Sequence, residues 1–158
     1  MTVHLHKTDL PDGIDFGRSV AVDTETQGLS LVRDKLCLVQ LSAGDGDAHI
    51  VQVDRETYDC PNLKALMANT DVEKIFHFAR FDVAIMRRDL DVDITPVFCT
   101  KIASGLVRTY TDRHGLKDIC RELLGVDLSK QQQSSDWASD VLTEAQLNYA
   151  ASDVLYLH

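Results

Sequence analysis

Apolar and β-branched positions crowd Ser19–Thr26 (SVAVDTET) and, after a polar loop, return in Leu36–Ser42 (LCLVQLS) and His49–Val53 (HIVQV). Short runs of this kind, bounded by turn residues, read as strands, and GDGD at Gly44–Asp47 has the composition of a hairpin loop. The second and third runs are therefore predicted to pair antiparallel. After Pro61 the period changes. Leu63, Leu66 and Met67 recur at helical spacing, and Lys74–Phe78 (KIFHF) reads as a strand leading into a helix over Arg80–Leu90. Further helices are predicted over Cys99–Val107 and Leu116–Leu124, the second closed by Gly125. Leu128–Asp136 is polar and Gln-rich, a loop. Thr143 with Gln146 three residues later forms a capping-box signal for a last helix that is predicted to run to the chain end. Val154, Leu155 and Leu157 on that stretch are expected to want a downstream segment to bury them. The pattern as a whole predicts an α/β domain: a mixed central sheet, its first three strands antiparallel, flanked by helices.

A length of 158 residues suits one domain, which buries roughly 70% of its unfolded surface. No stretch approaches the roughly 18 apolar residues of a membrane span, and Met1–Asp15 mixes His, Lys and Asp with scattered Leu, unlike a secretory signal. Asp and Glu number 25 against 16 Lys and Arg, a net charge of −9 that disfavours a long footprint on duplex nucleic acid. A nucleic-acid partner should be short, or held by metal. Cys37, Cys60, Cys99 and Cys120 lie far apart with no CxxC pair, which points to reduced thiols in a cytoplasmic protein.

Asp23 and Glu25 alternate with Val22 and Thr24, so on a strand both carboxylates leave the same face. Side by side next to apolar Val20 and Ala21, with no Lys or Arg close in sequence, they call for a hard divalent cation. A DxE pair also arises by chance on exposed edges. Tyr149 and Asp153 stand four apart, one turn up the same helical face, at the margin of an apolar side formed by Leu147, Ala150, Ala151 and Val154. Taken alone, a solvated Asp and a core Tyr are the better account of them. Asp82, early in the helix after KIFHF, sits where strand-to-helix junctions often carry sites, or simply satisfies a helix dipole.

Order and context change the weighting. VAVDTETQGLS, FHFARFD and YAASD, in that sequence, resemble the three motifs of the DEDD superfamily of 3′-to-5′ exonucleases, in the subgroup with Tyr in the third. HGLKDICRELLGVDLSK, SSDW and LTEAQLNYAASDV are similar to the RNase D branch, and PVFCTKIASGLVRTYTDRHGLKD to its small stand-alone members of the nano-RNase C type. The resemblance runs from Ser19 to His158. It implies an RNase H-like exonuclease fold and one exonuclease domain over residues 1–158 that lacks its C-terminal helices. Asp23 and Glu25 match the first motif, Asp82 the second, Asp153 the third, and Tyr149 the Tyr that names the subgroup. By that resemblance Asp23 would bridge two divalent ions, Mg²⁺ or Mn²⁺, Glu25 and Asp153 would hold the nucleophile-side ion, Asp82 would act through water, and Tyr149 would orient the attacking water.

The resemblance further implies substrate contacts at Thr26 and at Leu29, where the family inserts an apolar wedge, and at His77, against ordinary loop packing and a satisfied core histidine. Lys130, Gln133 and Ser135 lie in the polar loop, where a phosphate or a 5′ end could be gripped. Trp137 reads as an anchor for that loop. Arg87, Arg88, Arg108 and Arg113 are a basic rim or merely solvated charge. The function expected is a two-metal 3′-to-5′ exoribonuclease that releases nucleoside 5′-monophosphates from short single-stranded RNA, dinucleotides especially, with DNA ends left open. RNase D-type 3′ processing of longer RNA is the alternative, and a catalytically idle nucleic-acid-binding module the reading of a different class. A homo-oligomer, a ring octamer, is implied by resemblance alone.

Overall fold

The computed structural model describes residues 2–129 and 131–158. Its strands are β1 (Thr2–Lys7), β2 (Ser19–Thr26), β3 (Leu36–Ser42), β4 (Asp47–Gln52), β5 (Glu73–Phe76) and β6 (Val97–Cys99). Helices α1 (Pro61–Ala68), α2 (Arg80–Leu90), α3 (Thr100–Val107), α4 (Leu116–Ile119), continued by a π-helical turn over Cys120–Leu124, and α5 (Glu144–Ser152) complete it. The strands form one mixed sheet in the order β1-β4-β3-β2-β5-β6. The pair β3–β4 is antiparallel, as the hairpin signal predicts, and so is β2–β3, while β1–β4, β2–β5 and β5–β6 are parallel.

Helices cover both faces, which is why β3 is buried at every position instead of alternating. On one face Val20, Val22, Val39, Leu41 and Val51 pack against Leu63 and Met67 of α1 and Ile85, Met86 and Leu90 of α2. On the other, Ala21, Ala48 and Ile75 meet Ala151, Val154 and Leu157, and Cys37, Leu38 and Ile50 meet Trp137, Leu142 and Ala150. Small side chains at Ala21, Ala48, Ala150 and Ala151 let α5 lie close to the strands.

The structure corrects several expectations. The first strand of the chain is β1, which pattern reading passed over, and β6 precedes α3 where a continuous helix was expected from Cys99. The last helix does not run on: α5 stops at Ser152, with Asp153 at its C-cap. Val154 and Leu157 are buried against the sheet in the turns that follow α5, and Leu155 is partly buried beside them. The capping box is formed as predicted, with Thr143 Oγ1 accepting from Gln146 N–H at 3.2 Å and Gln146 Oε1 accepting from Thr143 N–H at 3.0 Å. Gly125 ends the π turn at φ 69°. Among the described residues no helix is long and apolar enough to cross a membrane, and all four cysteines are free thiols.

Candidate active site

The acids gather at the carboxyl end of β2. Asp23 and Glu25 project toward α5, and the β2–β3 register slips between Glu25 and Thr26, a bulge that re-aims the strand end. Asp153 arrives from the C-cap of α5, one turn beyond Tyr149. Asp23, Glu25 and Asp153 each offer an oxygen within 4.8 Å of the others. Asp82, in the first turn of α2, lies outside that trio: it is buried, and its Oδ1 accepts from Thr24 Oγ1 at 2.6 Å. Thr24, on the opposite face of β2 from the trio, thus ties the second motif to the first.

Burial, then repulsion from Asp82, Asp153 and Glu25, holds Asp23 well above the ordinary carboxyl range. Burial, then Asp153 and Asp82, pushes Glu25 up to about 9, and burial pushes Asp82 up to about 6, against the hydrogen bond from Thr24. Without a counter-charge Glu25 keeps its proton at neutral pH, and Asp23 is pushed the same way. Oxygen-only donors this close suit a hard divalent cation better than zinc, so the residues present fit the group the motifs imply. Tyr149 is also shifted upward, by burial first and then by Asp153, Glu25 and Asp23, and it shares a hydrogen bond with Asp153. The Trp137 and Tyr149 ring centroids are 5.9 Å apart, and buried Trp137 anchors the polar loop as its sequence position suggested.

These residues floor a cavity of about 550 Å³, a size typical of small-ligand sites. Its walls include Thr26, Leu29, His77 and Gln133. Leu29 stands 86% exposed at the rim, free to meet a ligand. His77 Nδ1 is 2.9 Å from Thr100 Oγ1, and burial, with Lys101 nearby, lowers its pKa to about 4, so the ring is neutral at physiological pH. Thr26 Oγ1 donates to Gly28 O. Ser135 does not line the cavity: its hydroxyl donates to Gln132 Oε1 at 2.6 Å within the loop. Lys130 lies outside the described residues. Three of the four arginines are held in ion pairs. Arg87 pairs with Asp91 and Asp93, Arg88 with Asp89, and buried Arg108 with Glu122.

Phe78 and Lys101 were missed by sequence reasoning. Phe78 sits at the β5–α2 junction with φ 66°, a left-handed conformation that costs a bulky residue about 1–2 kcal/mol. That turn leaves its ring 47% exposed in the cavity wall, with Lys101 Nζ 3.9 Å from the ring centroid. The available signal was an aromatic residue placed between KIFH and the helix that carries Asp82.

The fold is RNase H-like, and with the acidic cavity it places the chain in a family that the comparisons identify. Residues 8–158 match the 3′-5′ exonuclease family, to which the chain belongs. Within it the chain is RNase D-like and near nano-RNase C. It is 35% identical to ribonuclease D of Acidiphilium cryptum over 138 residues, 87% of this chain and 35% of that protein. The chain thus spans about a third of the length of the ribonuclease D relatives it matches. It superposes in full on Brucella melitensis NrnC with bound Mg²⁺, at TM-score 0.94 and 54% identity, covering 77% of that chain. NrnC bound to pGG gives 0.95 and 55%, with the same coverage of both chains. Escherichia coli RNase D gives 0.74 and 27%, over 89% of this chain and 36% of that one.

Proposed function

We propose that the protein is a cation-dependent 3′-to-5′ exoribonuclease that degrades short oligoribonucleotides, dinucleotides above all, to nucleoside 5′-monophosphates. The observation that carries this reading is the convergence of Asp23, Glu25 and Asp153 within 4.8 Å on the floor of a walled cavity. Two Mg²⁺ or Mn²⁺ ions held by this trio, with Asp82 beside it, would supply positive charge to the scissile phosphate and make hydroxide available at neutral pH.

The chain's own residues do the rest. Tyr149, its pKa raised, keeps its proton and serves as a hydrogen-bond partner that orients water, not as a base. Leu29 at the rim is the apolar wedge for the terminal base, and Phe78 offers a second surface on which a base can stack, with Lys101 above it for phosphate. Neutral His77 is suited to a sugar hydroxyl or 3′ end, and Gln133 to the polar end of the ligand. Thr26 shapes the loop that presents Leu29 through its bond to Gly28.

Short substrates are supported by the net charge of −9 and by the likeness to a protein solved with pGG. Processing of longer RNA in the manner of RNase D is the second reading, favoured by the ribonuclease D relatives. An idle binding module is disfavoured because all four carboxylates and Tyr149 are present. We read the described chain as one exonuclease domain acting in the cytoplasm, in keeping with its free thiols. A homo-oligomer is supported by the exposed apolar side chains of Ile102, Leu106, Val107, Leu123 and Leu124 beside a groove of about 240 Å³, and the ring octamer rests on resemblance. Native mass spectrometry tests it.

The function itself is tested by initial rates on 5′-labelled RNAs of two, five and twenty nucleotides, with Mg²⁺, Mn²⁺ or chelator, in the full natural chain and its Asp153→Ala variant. Cation-dependent loss of the dinucleotide, fastest of the three and absent in the variant, is expected. Rates that rise with length select RNase D-type processing, and no cleavage with either metal leaves a binding module.

A further inference from the structure

On the face of the sheet opposite α5, the exonuclease reading leaves a cluster of imidazoles unused. His4 and His6 alternate with Val3 and Leu5 along β1, so both rings leave the strand on one side. The parallel β1–β4 register sets His4 directly beside His49. The rings are close to parallel, with centroids 4.7 Å apart for His4–His49, 5.2 Å for His6–His49 and 6.4 Å for His4–His6. His6 Nε2 and His49 Nδ1 are 3.0 Å apart and share a hydrogen bond. Phe16 closes one side in a T-shaped contact, its ring centroid 5.4 Å from that of His49, and Asp47 Oδ2 lies 3.5 Å from His4 Nε2.

We propose that His6 and His49, joined by His4, bind a divalent transition metal of the Zn²⁺, Ni²⁺ or Cu²⁺ class at a site separate from the acidic cavity. Imidazole nitrogen suits these borderline metals, whereas Mg²⁺ and Mn²⁺ prefer carboxylate oxygen. Two nitrogens that ligate one metal at about 2.0–2.1 Å, with ligand angles between tetrahedral and square, stand about 2.9–3.4 Å apart. The His6–His49 separation of 3.0 Å falls inside that window. For both rings to ligate, the donor of the shared hydrogen bond moves its proton to its other ring nitrogen, and no net proton is released at neutral pH. His4 stacks on His49 and reaches the metal by a side-chain rotation. Asp47, as the acceptor for its Nε2–H, fixes the tautomer that leaves Nδ1 to ligate, a recurrent outer partner of metal-bound histidine.

The electrostatics favour the unprotonated rings this needs. Burial first, then His4, lowers the His6 pKa, and burial, then His4 and His6, lowers that of His49. The flanking residues Ala48 and Ile50 turn the other way, into the core beneath α5, so the cluster and the acidic trio lie on opposite faces of the sheet. That separation makes the proposal independent of the exonuclease reading.

The test is calorimetric titration of Zn²⁺ into tag-free, full-length protein held in saturating Mg²⁺, with Cu²⁺ paramagnetic resonance as the count of bound imidazoles. Wild type and Asp153→Asn are expected to take up one Zn²⁺ per chain and to show nitrogen hyperfine splitting with Cu²⁺. The double variant His6→Asn, His49→Asn should lose at least about 100-fold in Zn²⁺ affinity, beyond the cost of an outer-shell change, while Mg²⁺-dependent cleavage is unchanged. Unchanged cleavage also shows that the variant folds. Should it misfold, His6→Gln alone, on the edge strand, carries the same comparison. No Zn²⁺ uptake by wild type, equal uptake by the histidine variants, or loss of uptake in Asp153→Asn overturns the proposal.

Discussion

Lys74 and the trio of Asp23, Glu25 and Asp153 are all ionisable groups drawn into the fold, and the chain treats their charge in opposite ways. Lys74 is fully buried on β5, and its ammonium donates to three backbone carbonyls, those of Asn69 at 2.5 Å, Val72 at 2.7 Å and Thr95 at 2.8 Å. Burial lowers its pKa, yet each of its three protons has an acceptor. These bonds tie the α1–β5 turn to the segment before β6, a purely structural use of charge. The acids are arranged otherwise. After burial, the influences that most raise Asp23 and Glu25 are other carboxyl groups. Charge that serves the fold is satisfied by the chain, whereas charge that serves chemistry is held in deficit for a cation from solution.

Substitutions on the two sides of this contrast should separate activity from stability. Asp153→Asn is expected to cut cation-dependent cleavage by about 10³-fold or more, the weight of several kcal/mol of transition-state stabilisation. The same change should raise the melting temperature of the metal-free protein, because a repelling neighbour is removed. Tyr149→Phe should lower kcat by about 10²-fold with KM nearly unchanged, as loss of a positioning contact does. Lys74→Met should leave kcat alone and cost about 2–3 kcal/mol in chemical denaturation, since three buried carbonyls lose their donor. Leu29→Ala should raise KM for a dinucleotide about fivefold, a modest stacking contribution, and leave stability unchanged.

A further expected effect concerns pH. Glu25 has its folded pKa raised from 4.5 to about 9, so between those values the native state binds more protons than the unfolded chain. Stability therefore falls as pH rises through that window. Metal-free melting temperature should show this decline, and Mg²⁺ should flatten it increasingly toward the alkaline end. A flat metal-free profile would dissolve the contrast with Lys74.

The central fold was legible because its strands are buried runs with clear turns: β2 and β3 match their predicted limits, and the glycine-rich turn gave the β3–β4 pairing. β1 was passed over because half its positions are His and Lys, although Val3 and Leu5 do alternate, as an edge strand requires. β6 has three residues and merged with the helical signal of α3. The burial of Val154 and Leu157 depends on the small residues Ala21 and Ala48 on distant strands, which local pattern does not reveal. The candidate site was legible through motif order, and the physics of a same-face DxE pair carried over directly to the geometry. Phe78 and Lys101 were not, because their meeting depends on how α3 packs beside the start of α2. The separation of Asp82 from the trio by its bond to Thr24 was likewise beyond the reach of spacing.

On this reading the acidic trio is completed by cations from solution. Calorimetric titration of Mn²⁺ into the full-length protein near neutral pH, in two buffers of different ionisation enthalpy, tests it most directly. Binding is expected with net proton release, because burial and repulsion favour the protonated forms of Asp23 and Glu25 that the cation displaces, and most of that signal should be lost in Asp153→Asn. Binding without proton release, or a titration that Asp153→Asn leaves unaltered, would contradict it.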